Sequence, residues 1–173
     1  MRTLVTTIEA TPWQPWVTVA ARVVLGGALL YAGLLKVGDL RQSVAAVKAY
    51  QLPFPDWFIT LIGNTMPFVE IIVGAAVVLG VFTRWTAGLC GLAMVAYIIG
   101  IASAWARGLS IDCGCFTPGG ELSPGEATQY LLDIVRDFAL LLLAVWVVVF
   151  PKTPLSVDSW IAGPGQPTAD AAE

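Results

Sequence analysis

The sequence predicts an all-α membrane protein: a left-handed bundle of four transmembrane helices, with a short interfacial amphipathic helix between helices 1 and 2. Three observations predict it. Of the 173 residues 57% are hydrophobic and 12% charged, with a mean hydropathy of +0.79, whereas soluble domains carry about 25% charged residues. Four apolar runs reach the ~20 residues that a helix needs to cross a ~30 Å hydrocarbon layer. Between the first two runs lies a stretch whose apolar residues recur at the spacing of a one-sided helix.

The spans are Trp16–Leu35, Trp57–Phe82, Trp85–Ala106 and Tyr130–Phe150. Trp13, Trp16, Trp57, Trp85, Trp105, Tyr130 and Phe150 mark their ends, where an aromatic belt belongs. The first span is too long for a signal peptide, carries Arg22 inside it and has only Arg2 before it, so it reads as a retained helix. In residues 39–51, Leu40, Val44, Val47 and Tyr50 share a face, with Arg41, Gln42 and Lys48 between them, and Leu52-Pro53 closes the segment. Residues 107–126 form a cysteine loop. It closes on Ser123-Pro124-Gly125-Glu126, a capping box with proline at the first helical position, which predicts a helix starting near Pro124. Residues 1–150 thus read as a single four-helix membrane domain. Residues 151–173, proline-rich and ending in Ala-Asp-Ala-Ala-Glu, read as a disordered tail with Trp160 resting on the interface.

Composition also excludes. A net charge of −3 without a basic run argues against nucleic acid. The absence of histidine removes Ser-His-Asp and Cys-His catalysis, histidine-ligated haem and most catalytic zinc sites. Three cysteines cannot complete a four-cysteine zinc or iron–sulfur site within one chain. A metal shared between two protomers stays open. Four spans put both termini on one side. Lys36, Arg41, Lys48 and Arg107 against Arg2, Arg84 and Lys152 slightly favour a cytoplasmic loop. Disulfide chemistry favours the reverse, and the orientation adopted has cytoplasmic termini and an extracytoplasmic cysteine loop.

The chemistry concentrates in Cys113-Gly114-Cys115, a water-facing pair of thiols one glycine apart. A bridge across one residue is strained, because Cα atoms in disulfides prefer ~5.5 Å. Strain makes a disulfide more oxidising, which suits electron exchange, and so local a crosslink adds little stability. Asp112 disfavours a thiolate, and Lys36 or Arg107 can offset it. The alternative is that both pack as small apolar side chains. Cys90, among Gly88, Gly91 and Ala93, reads as a small residue at a helix contact.

Charges within spans are costly and so informative. Asp133, Arg136 and Asp137 lie within one turn of helix 4, beneath the cysteines and near Lys36. Arg22 and Glu70 fall at similar depth, ~21 and ~20 Å from the loop-side surface at ~1.5 Å per residue, which predicts a buried ion pair, with the carbonyl freed by Pro67 as a third member. All these charges also read as devices that fix helix packing.

Several motifs resemble the MauE/DoxX family of four-helix membrane proteins, in particular its MauE branch. They are Gly33 to Lys36 at the end of helix 1, the Leu52-Pro53 closure, Pro67-x-x-Glu70 with Gly74, and Asp112-Cys113-Gly114-Cys115-Phe116 ahead of Arg136-Asp137. The resemblance covers about Val19 to Val149. It implies a multi-pass protein of the bacterial plasma membrane that takes part in redox work outside the cytoplasm, including maturation of disulfide-containing proteins of methylamine utilisation. The architecture is also similar to that of the vitamin K epoxide reductase and DsbB-type oxidases. On this resemblance Cys113 and Cys115 are the redox pair of a thiol–disulfide oxidoreductase working with a thioredoxin-like extracytoplasmic partner. Quinone is the candidate acceptor against helix 4, with Arg136 donating to it and Asp133 and Asp137 holding Arg136. Two other classes compete: a non-catalytic assembly or scaffold subunit of a membrane redox complex, and a small-solute carrier using Arg22 and Glu70.

Overall fold

The computed structural model describes residues 13–117, 119–123, 127–151, 153 and 155–162. Their elements run in order as α1 (Gln14–Val37), α2 (Leu40–Ala49), α3 (Asp56–Leu79), α4 (Thr83–Ala106), β1 (Ile111–Asp112), β2 (Gly120–Glu121), α5 (Tyr130–Val149) and α6 (Val157–Ala162). Three of these, α1, α3 and α4, are long and apolar enough to cross a membrane. Each has 24 residues, about 36 Å of helix. The fourth long helix, α5, has 20 residues and carries Asp133, Arg136 and Asp137 in its first two turns. Outward faces are apolar along all four, with Val23, Ile72, Leu92, Ile99 and Leu142 exposed.

Close packing sets the register of α1 against α3. A Cβ at Gly26 would lie 2.6 Å from the Gly74 carbonyl oxygen, and one at Gly74 would lie 2.8 Å from the Gly26 oxygen, so the two backbones touch there. Gly33 meets Pro67 and Glu70 in the same way. The buried centre, made by Leu25, Leu29, Val77, Cys90, Met94, Leu140 and Ala144, joins all four long helices. Cys90 is fully buried there as a small apolar side chain.

This register separates Arg22 from Glu70, which do not form the expected pair. With Gly26 facing Gly74, Arg22 is level with Val77 and Val78 near the end of α3, and its guanidinium donates to their carbonyls at 3.0 and 2.8 Å. Glu70 is about two helical turns away, at the level of Gly33. The depth estimate failed because α3 is displaced along α1 toward the cysteine side. Side chains lean toward their helix N-terminus, so on these antiparallel helices Glu70 and Lys36 lean toward each other, and they pair at 2.8 Å.

Three further expectations change. A helix forms at α2, capped by the Asp39 carboxylate on the Gln42 N–H at 3.1 Å. Its buried stripe is Ser43, Ala46 and Ala49, while Val44 and Val47 are half-buried. Small residues face inward because β2 and the cysteine loop pack on them, and Val44 sits on Gly63 of α3. The helix expected near Pro124 begins at Tyr130, since residues 127–129 are non-helical. The Tyr130 hydroxyl, accepting from the Ile111 N–H at 3.0 Å and donating to the Leu109 carbonyl, fixes that start; Pro124, Gly125 and Glu126 lie outside the described residues. Part of the expected disordered tail is folded. Arg22 donates to the Thr153 hydroxyl at 2.5 Å and the Leu155 carbonyl at 3.1 Å, and the Asp158 carboxylate accepts from the Phe82 and Thr83 N–H groups at 2.9 and 2.8 Å. Asp158 thereby caps α4 from outside the helix. Trp160 is exposed.

Candidate functional site

The cysteine loop is folded back onto the bundle. Antiparallel pairing of Ile111 with Glu121 and of Asp112 with Gly120 closes it at its base. The Asp112 carboxylate accepts from the Gly114 N–H at 3.0 Å and from the Thr117 hydroxyl, bending the chain between the two thiols. Gly114 and Gly119 both have φ of +71°, a region costly for residues with a side chain. They stack on one another over Ala46 of α2: a Cβ on Gly119 would lie 2.6 Å from the Gly114 Cα and 2.8 Å from the Ala46 Cβ. Gln42 donates to the Gly119 carbonyl at 2.7 Å, and Tyr50 donates to the Cys113 carbonyl at 3.1 Å. Arg107 reaches the Tyr50 and Gln51 carbonyls and stays away from the thiols.

These contacts bury what was expected to face water. Cys113 is 9% and Cys115 7% exposed, and both are thiols. The Cys115 backbone N–H points at the Cys113 sulfur at 3.4 Å, and Arg136 Nη2 lies 3.7 Å from the same sulfur. Arg136 in turn donates to Asp133 at 2.9 Å and, through Nε, to Asp137 at 2.9 Å, and its guanidinium lies 4.7 Å from the centre of the Phe116 ring. Phe116 stacks on Tyr31 at 6.0 Å. The structure therefore joins Cys113 to Asp133, Arg136 and Asp137, with the cation supplied by Arg136 in place of Lys36 or Arg107.

The two thiols are unlike. Cys113 is held below its ordinary value, first by the hydrogen bond from the Cys115 thiol, then by the Cys115 N–H and by Arg136, while burial and the charge of Asp133 act against this. Cys115 is pushed well above its ordinary value by that same hydrogen bond, by burial and by the negative charge of Cys113. Cys113 is the readier thiolate and Cys115 holds the proton.

Behind the pair, a second polar group fills the space between α1, α3 and α4. Lys36 donates to both oxygens of Glu70 at 2.8 and 2.9 Å, and the Tyr97 hydroxyl donates to Glu70 at 2.7 Å. Tyr97 escaped the sequence reading; a lone hydroxyl midway along an apolar span was the signal for it. Both cysteines, Lys36, Ser43, Tyr50 and Tyr97 line an otherwise mostly apolar cavity of about 200 Å³ between α2, α3 and α4. Arg136 is not on this wall. Tyr50 and Tyr97 have already given their hydroxyl protons. The Ser43 hydroxyl has no partner among the described residues, and Lys36 keeps one N–H unused. Arg22 stands apart, so the carrier site expected from Arg22 and Glu70 is not formed. Among the described residues no group of three or more Cys, Asp and Glu side chains is placed to hold a metal ion.

No curated relative and no solved structure matches the chain. Residues 14–150 match the family model described as methylamine utilisation protein MauE, and by that match over most of its length the chain belongs to the MauE family.

Proposed function

We propose that this membrane protein of the methylamine-utilisation type is a thiol–disulfide oxidoreductase, with Cys113 and Cys115 exchanging electrons with a thioredoxin-like partner outside the cytoplasm. In this reading α1, α3, α4 and α5 all span the bilayer, α2 lies at its interface, and the termini are cytoplasmic. The observation that carries it is the asymmetric pair: the Cys113 sulfur receives the Cys115 backbone N–H and an Arg136 N–H, an arrangement that favours its thiolate over that of Cys115. Two thiols prepared in this way suit attack by one and resolution by the other. A packing role alone does not call for a guanidinium N–H directed at a sulfur.

The cavity beside the pair fits a membrane quinone as acceptor. Its wall is mostly apolar, it borders both sulfurs, and the Ser43 hydroxyl and the unused N–H of Lys36 are the donors that would hold a carbonyl oxygen. A bound quinone supplies a sink for two electrons and two protons. In this reading the acceptor lies among α2, α3 and α4 and does not touch Arg136. The test replaces both cysteines with serine and follows disulfide formation in a secreted reporter. Oxidation should fall to background; unchanged oxidation would sink the assignment.

A further inference from the structure

Asp137 has a bonding capacity that the site described above does not use. The residue is 1% exposed, and one oxygen takes its N–H bonds from Arg136, while Oδ2 is buried without a hydrogen-bond partner among the described residues. A bare buried carboxylate oxygen is costly, so the site needs an account of it. Asp137 borders a small space of about 10 Å³ shared with Cys115, Tyr97, Glu70 and the apolar Leu29 and Met94. Such a space holds about one water, given two or more polar neighbours. Four residues on its mostly apolar wall carry polar side chains, and Cys115 rather than Cys113 is the sulfur among them. The charged and titratable groups around Asp137 are Arg136 and Asp133 on α5, Lys36 on α1, Tyr50 at the end of α2, Glu70 on α3, Tyr97 on α4, and Cys115 in the loop.

We propose that Asp137 carries the proton of Cys115, through one water held in this space, each time the cysteine pair opens or closes. The inference rests on the redox reading. When the Cys113 sulfur is joined to a partner sulfur in a mixed disulfide, Cys115 gives its proton to Asp137 Oδ2. The resulting thiolate attacks the Cys113 sulfur. The bond between Cys113 and the partner breaks, the Cys113–Cys115 bond forms, and the partner leaves as a thiolate. The partner disulfide is the oxidant: it gains the two electrons that the pair loses. In reverse, a partner thiolate attacks the Cys113 sulfur, Cys115 is released as a thiolate, and it takes the proton back from Asp137. Each step transfers one proton and breaks as many bonds as it makes.

The experiment uses the whole protein in lipid nanodiscs with oxidised glutathione as the partner disulfide. Rapid acid quench separates formation of the mixed disulfide on Cys113 from its resolution. Asp137→Asn should slow resolution roughly 100-fold, as loss of a positioned base does, and change formation by far less. Resolution should then become steeply pH-dependent, rising about tenfold per pH unit, because hydroxide must supply the Cys115 thiolate. Asp137→Glu should restore part of the rate. In the unmodified protein, deuterated water should slow resolution and leave formation unaffected, a reading that does not depend on the variants folding. Unchanged resolution in Asp137→Asn, equal slowing of both steps, or the absence of an isotope effect on resolution would overturn the inference and leave the redox reading standing. Failure of the unmodified protein to form any mixed disulfide would overturn both.

Discussion

Each end of the bundle holds an arginine, Arg22 fully buried and Arg136 partly exposed, and the two are treated differently. At the terminal end Arg22 donates, among the described residues, to neutral acceptors: the carbonyls of Val77, Val78 and Leu155 and the Thr153 hydroxyl. At the cysteine end Arg136 is shared among two carboxylates, a thiol and an aromatic face, and one of those carboxylates keeps an oxygen unbonded beside a water-sized space. The first arrangement ties four of the five guanidinium N–H groups to neutral oxygens. The second is a set of titratable groups around a cation, with cavities against it. The comparison teaches that a buried charge in a span does not by itself mark a site; the kind of partner it has does.

Replacing Arg22 tests the structural half. Arg22→Met should cost roughly 3 kcal/mol, because several buried carbonyls lose a charged donor at ~1–3 kcal/mol each. Thermal unfolding in detergent should report that loss, while alkylation of Cys113 in the remaining folded protein stays unchanged. If Cys113 reactivity moves with Arg22, the two ends are not independent. Gly119→Ala should cost about 2 kcal/mol from its backbone conformation and its collision with Gly114 and Ala46, and should expose both sulfurs, seen as faster alkylation of Cys115. Asp158→Ala removes the cap on α4 and should cost about 1 kcal/mol, again with no effect on the thiols.

The smallest effect in energy is the most specific to the site. Since the Cys113 thiol is lowered, its alkylation should rise with pH to a half-maximum below the ordinary thiol value of 9.0. Cys115 should alkylate only above it. Arg136→Lys keeps a positive charge but loses the fork that reaches sulfur and carboxylates together. The Cys113 half-maximum should then move up toward the ordinary value. An unmoved curve would mean that the guanidinium does not stabilise the thiolate.

What the sequence made legible follows from how local each feature is. The long helices were written in runs of apolar residues, and Cys-Gly-Cys, Arg136 and Asp137 were visible as chemistry in the wrong solvent. The error over Glu70 came from register. Whether it meets Arg22 or Lys36 depends on where Gly26 lands against Gly74, a contact between residues far apart in the chain. The burial of the thiols escaped for a similar reason. It depends on Gly114 and Gly119 stacking over Ala46, and loop composition alone gives no sign of that. The inward stripe of α2 was misjudged because Ser43, Ala46 and Ala49 were chosen to fit a loop backbone rather than to bury apolar area.

The glycine crossing of α1 and α3 has a mechanical consequence. Backbones in contact leave no soft side-chain layer between them, so these two helices move as one stiff piece. α4 and α5 also pack extensively on each other, whereas the face between α3 and α4 is thin. The bundle is thus a pair of rigid jaws with a compliant seam, and the cavity beside the two sulfurs lies along that seam. A widening of that seam would part the wall of the cavity without unwinding a turn of any helix.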